Sequence, residues 1–160
     1  MSHVDTNMVL IKDLAVLQDT IRQHTDVEFI LHRKTYKWYG ASVGDYPLPP
    51  GITKDMLGKC DHVIRLKGCE YEIGVVRVDG GWRLAYDFWG PGQALKQRFG
   101  DKLNGLMDEY QHQLARKTMK GYSVHKITSQ EQANKWNTRL GLLGSHKIKF
   151  TGKMLSVCVQ

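Results

Sequence analysis

The chain has 160 residues, 41% of them hydrophobic and 24% charged, ordinary proportions for a soluble globular protein, and 23 Lys and Arg against 16 Asp and Glu leave a net charge of +7. No apolar run approaches the ~20 residues of a membrane span, no basic-then-apolar signal segment opens the chain, and three cysteines (Cys60, Cys69, Cys158) are too few and odd in number for a disulfide framework. The expectation is one cytoplasmic domain over 1–160, with reduced thiols, no membrane partner, and a charge that favours a polyanion such as nucleic acid or an acidic protein surface.

In chain order, Met8 to Ile11 fits a first strand. Asp13 is placed to cap a helix in which Leu14, Leu17 and Ile21 recur at helical spacing, ending near His24 and Thr25. Val27 to Tyr39 reads as a second strand whose far half, from His32, is basic and aromatic. Three prolines between Pro47 and Pro50 make 44–51 a loop, because proline cannot sit inside a sheet. His62 to Leu66 reads as a third strand.

Two alternating runs then meet at Asp79-Gly80-Gly81, a strong hairpin signal. A two-residue turn there puts Tyr71, Ile73 and Val75 on one face with Trp82, Leu84, Tyr86 and Phe88. Gln93 to Lys120 reads as one long helix with an apolar stripe of Leu95, Phe99, Leu103, Leu106, Tyr110 and Leu114, weakened at Gly100 and Gly105 and capped at Gly121. Tyr122 to Thr128 resumes as a strand. Ser129 caps a short helix to Leu143 that carries Trp136, and Lys147 to Val159 closes with alternating apolar positions. The predicted class is α+β: a mainly antiparallel sheet with a long amphipathic helix and a shorter helix packed on one face.

Ile11-Lys12-Asp13-Leu14 between strand and helix, the Tyr71–Phe88 hairpin, the long helix behind it, Gly121-Tyr122-Ser123-Val124 opening the next strand, and Met1-Ser2-His3 at the start occur in an order over 1–128 that resembles the "hypothetical chloroplast reading frame thirty-five" family of chloroplasts, cyanobacteria, other bacteria and bacteriophages. The loop at 46–51 and the segment 129–147 depart from its pattern, as in a divergent, phage-borne member. That family has no settled activity, so the resemblance implies no catalytic residue.

Four groups of residues are candidates for chemistry. Arg33-Lys34-Thr35-Tyr36-Lys37-Trp38-Tyr39 interleaves cations for phosphates with rings for bases, as single-stranded nucleic acid binding requires. The alternative is a strand whose aromatics cap the core and whose lysines blunt an edge. Gly90-Pro91-Gly92-Gln93 opens the long helix, where the N–H groups of Gly92, Gln93 and Ala94 form an anion site or an ordinary tight turn. Cys60, His62 and Cys69 offer soft ligands, with His32, His125 or His146 to complete a set, but paired C-x2-C spacing is missing and no metal is expected. Glu72, Arg83 and Asp87 share the hairpin's polar side, as a carboxylate site or as an exposed charge set.

No phosphate-loop, G-x-S-x-G or H-E-x-x-H motif occurs. The reading is a non-enzymatic module with no cofactor, binding single-stranded nucleic acid through Arg33, Lys34, Tyr36, Lys37, Trp38 and Tyr39 and through the basic helix end, Arg116, Lys117 and Lys120. The alternatives are an adaptor for a protein such as an ATPase or polymerase, and a small enzyme holding a phosphate-bearing substrate at Gly92 and Gln93.

Overall fold

The computed structural model describes residues 2–160; Met1, the first residue of the family resemblance, lies outside them. The protein is α+β, and its chain divides into two compact units, one running to Met107 and the other from Asp108 to Gln160.

In the first unit, β1 (Asp5–Thr6), β2 (Val27–Ile30), β3 (His62–Leu66), β4 (Ile73–Val78) and β5 (Gly81–Tyr86) form one sheet in the order β1-β5-β4-β3-β2, every pair antiparallel. The hairpin closes as its sequence predicts. Val78 pairs with Gly81 across an Asp79-Gly80 turn, Gly80 takes a φ of 83°, and Val75 faces Leu84. Ile64, Ile73, Val75 and Leu84 are therefore on one face, wholly buried. The cover comes from α1 (Leu14–Arg22), through Val16, Leu17 and Ile21, and from Leu95, Phe99, Leu103, Leu106 and Met107. Asp13 caps α1 as expected, its carboxylate accepting the Val16 N–H at 3.1 Å.

In the chain up to Thr118, three expected elements differ. β1 lies upstream of the Met8–Ile11 run, because Asn7 takes over the pairing there: its N–H and side-chain oxygen bond Leu84, and only Ile11 bridges to Trp82. β2 stops at Ile30 instead of continuing to Tyr39. His32 turns the chain with a φ of 59° and donates its N–H to His62 Nδ1 at 2.9 Å, so residues 33–60 leave the sheet edge. The long helix is broken. α2 (Gln93–Phe99) ends at Gly100, and Lys102 and Leu103 also take positive φ before α3 (Asn104–Thr118) begins.

The excursion 33–60 changes the sheet's second face. Tyr36, Ile52 and Cys60 pack with Val4, Val63, Val76 and Ala85 into a second core, with Ile30, Trp38, Met56, Leu57 and Val78 at its margin. Gly74 exists for this packing: a Cβ there would lie 2.3 Å from the Tyr36 ring. Opposite the face that α1 covers, the sheet is roofed by an irregular segment, so it is buried on both sides.

In the second unit, β6 (Ser123–Ile127) pairs antiparallel with β7 (Leu155–Val159), and α4 (Gln130–Leu140) contacts β6. Ser129 caps α4 as predicted, accepting the Gln132 N–H at 3.2 Å. The helix ends three residues short of Leu143 because Gly141 adopts the left-handed conformation (φ 65°) and stops it. Only the last five residues of the 147–159 run pair as a strand.

Candidate nucleic-acid interface

The segment from Arg33 to Tyr39, expected to be the binding strand, is mostly used internally. Tyr36 is 4% exposed over Gly74, and its burial pushes the phenol up to about 12. Tyr36 is therefore not a stacking residue. Trp38 is half-buried at the margin of the second core, its indole against Gly58. Arg33 Nη2 donates at 2.7 Å to Glu72, which is 1% exposed and also accepts the Lys37 N–H at 3.0 Å. Arg33 is thus the counter-charge of a buried carboxylate. Lys34 stays exposed, 3.7 Å from Asp61. The Lys37 side chain and the Tyr39 ring face solvent, Tyr39 meeting the exposed Trp89 edge to face at 5.1 Å. Trp38→Ala is accordingly expected to lower the melting temperature, with Lys34→Ala changing it little; thermal denaturation followed by circular dichroism checks both.

The anion site expected at Gly92 and Gln93 is closed. The Gly92 N–H donates to Trp89 O at 3.0 Å, and the Gln93 N–H bonds the carbonyls of Gly90 and Pro91. The buried Asp87 carboxylate accepts the Trp89 N–H at 2.9 Å and the Ser2 hydroxyl. Glu72 and Asp87, read as an exposed charge set, are both buried, and Arg83 is tied to the carbonyls of Asn7 and Met8.

The soft ligands are likewise engaged one by one. Cys60 Sγ donates to Arg33 O, and burial pushes that thiol up to about 12. Cys69 Sγ donates to Pro91 O, while His62 Nδ1 holds the His32 N–H. Among the described residues no three metal-ligating side chains converge.

The second unit is different in kind. From Asp108 to Gln160 there are nine cations (Arg116, Lys117, Lys120, Lys126, Lys135, Arg139, Lys147, Lys149, Lys153) against three acids (Asp108, Glu109, Glu131), so this third of the chain carries +6 of the net +7. All nine cations are exposed. The first unit has fourteen cations against thirteen acids, and its cations are largely paired with them: Arg65 with Glu28, Arg77 with Asp61, Lys96 with Asp101, Arg98 with Asp26 and Lys102 with Asp5.

At the end of α3 the basic residues enclose a concave surface. Arg116, in the last turn of α3, and Lys120, just past its end, line a cleft of about 290 Å³ with Met119, the Gly121 turn, Tyr122 and Ser123. No acid lines it, and neither Arg116 nor Lys120 makes an ion pair among the described residues. α3 ends at Thr118, so Gly121, at φ 86°, serves to turn the chain into β6 instead of capping the helix directly. That turn leaves Tyr122 41% exposed beside the two cations. Tyr122 reads in the sequence merely as a strand's first residue; its placement next to a basic helix end is the signal that marks it. Elsewhere in this unit the Arg139 guanidinium lies 4.8 Å over the Trp136 ring, which packs on His125 at 4.7 Å.

No family model, curated protein or solved structure matches the chain significantly. Among the described residues no helix is long and apolar enough to cross a membrane.

Proposed function

We propose that this protein is a non-enzymatic module that binds single-stranded nucleic acid through its C-terminal unit. The observation that carries the reading is the concentration of exposed, largely unpaired positive charge in 108–160 around a cleft with a ring in it. Arg116 and Lys120 meet phosphates, and Tyr122 offers a face to a base. A cleft without acids attracts a polyanion whatever its sequence, and a lone ring stacks on any base, so the binding is expected to be sequence-tolerant. A cytoplasmic location and membership of the chloroplast reading-frame family belong to the same proposal; the family supplies no residue roles.

The test is a titration of the full chain with labelled single-stranded DNA and RNA at two salt concentrations. Counterion release makes affinity fall steeply with salt, with a slope of about −0.7 per phosphate neutralised on a single strand. Arg116→Ala and Lys120→Ala should each weaken binding to every oligonucleotide and flatten the slope by about 0.7. Tyr122→Ala should cost about 1–3 kcal/mol and leave the slope unchanged. No binding at low salt would end the proposal.

A protein adaptor is the second reading, favoured by the exposed Tyr39–Trp89 pair in the first unit. Tryptophan and tyrosine are the residue types that anchor protein interfaces. Capture of an ATPase or polymerase that survives high salt and is lost in Trp89→Ala would favour it.

A further inference from the structure

A second group of polar side chains converges inside the C-terminal unit. Lys126 on β6 and Ser156 on β7 are directly cross-strand, so their Cβ atoms stand about 4.5–5.5 Å apart on one face of the two-stranded sheet. His112 reaches that face from α3, with its Nδ1 2.8 Å from Ser156 Oγ. Arg116 lies one turn further along α3, on the same side as His112. Lys126, Ser156 and Arg116 are exposed, while His112 is 5% exposed beneath them.

We propose that Ser156, Lys126 and Arg116 form a phosphate-binding subsite floored by His112, taking the phosphate next along the strand from the one held at Arg116 and Lys120. The inference rests on the proposed function and names the contact that extends it. Arg116 belongs to both places: it stands one turn, about 6 Å, beyond His112 on α3 and lines the cleft with Lys120, which follows the helix end. A hydroxyl, an ammonium and a guanidinium are the donors that phosphate oxygens take.

The charges around His112 agree. Burial, then Lys126, Arg116 and His125, hold the imidazole below its ordinary value. Two acids precede His112 on its own helix: Asp108, four residues back, is raised by burial and accepts a backbone N–H from Met154, with Lys153 beside it, and Glu109, three residues back, is half-buried. Neither Lys126 nor Arg116 has an acidic partner among the described residues. A bound phosphate relieves this repulsion and raises the imidazole's affinity for a proton. By reciprocity, lowering the pH through the His112 transition tightens phosphate binding.

The experiment follows the histidine resonances of the full chain through a pH titration, with and without inorganic phosphate, and measures oligonucleotide binding in parallel. His112 should titrate below the ordinary imidazole range alone and move upward with phosphate, while His62 stays put. Lys126→Gln, at an exposed position, should abolish the movement, weaken oligonucleotide binding and flatten its salt slope by about 0.7; Lys126→Arg should restore all three. If oligonucleotides bind but phosphate leaves His112 unmoved, or if the movement survives Lys126→Gln, the subsite is wrong and the proposed function stands. If His112 moves as expected but no oligonucleotide binds, the subsite stands as an anion site and the nucleic-acid reading falls.

Discussion

Arg33→Ala is expected to destabilise the fold strongly and to leave oligonucleotide affinity unchanged. Glu72 is 1% exposed, and its carboxylate is held by the Arg33 guanidinium at 2.7 Å and the Lys37 N–H at 3.0 Å. Removing the arginine leaves a buried charge with one backbone donor. Breaking such a pair costs roughly 3–5 kcal/mol, far more than the pair contributes relative to an apolar substitute, because the remaining charge stays desolvated. Arg33 is itself 31% exposed, so water can reach the gap and the loss belongs at the lower end of that range. Urea unfolding should show the midpoint falling with an unchanged slope, and Arg33→Ala with Glu72→Gln should recover part of the loss. A variant as stable as the parent but weak in binding would restore Arg33 to the interface.

The other large effect is expected at Gly92, where an alanine Cβ would lie 1.8 Å from the Asp87 carbonyl oxygen and 3.1 Å from the Tyr71 ring. The φ of Gly92, −67°, suits any residue, so the penalty is purely steric. The nearest atom is backbone in a buried turn and cannot swing aside as a side-chain tip would. Overpacking ordinarily costs about 1–3 kcal/mol, and this contact exceeds what small shifts relieve, so Gly92→Ala should cost more than about 3 kcal/mol or prevent folding. Gly90→Ala is the control. It has open space and a φ of 54°, so it should lose only about 1 kcal/mol from the left-handed backbone. Similar melting temperatures for the two would show that the turn opens freely and that its N–H groups are available to a ligand after all.

The proposed cleft at Arg116, Lys120 and Tyr122 and the proposed subsite at Lys126 and Ser156 lie in the part of the chain whose charge is least compensated. In the first unit, by contrast, Arg33, Lys34, Arg65, Arg77 and Arg98 each sit beside a carboxylate. A +7 chain is thus a near-neutral scaffold carrying a basic unit.

Features whose energetics span a few neighbouring residues were legible in the sequence. Asp13 and Ser129 cap their helices because each side-chain oxygen needs only an N–H three residues on. Asp79-Gly80 closes its hairpin because the turn needs positive φ and glycine supplies it, and the register follows from the alternation on either side. β3 and the buried set Ile73, Val75, Leu84 and Tyr86 follow from the same local rules. Only tertiary structure decided which side of the alternating stretch from Arg33 to Tyr39 meets water. Period-two alternation reads the same under a roof as in solvent, and the roof over Gly74 and Val76 is built by residues 33–60 folding back from a distance. The helix break at Gly100 has the same character: one glycine costs only about 1 kcal/mol in a helix, too little by itself to announce a break that also takes Lys102 and Leu103 to positive φ. The uneven charge was countable in the sequence, but its boundary was not, because the division at Met107 and Asp108 falls inside α3, where no linker marks it.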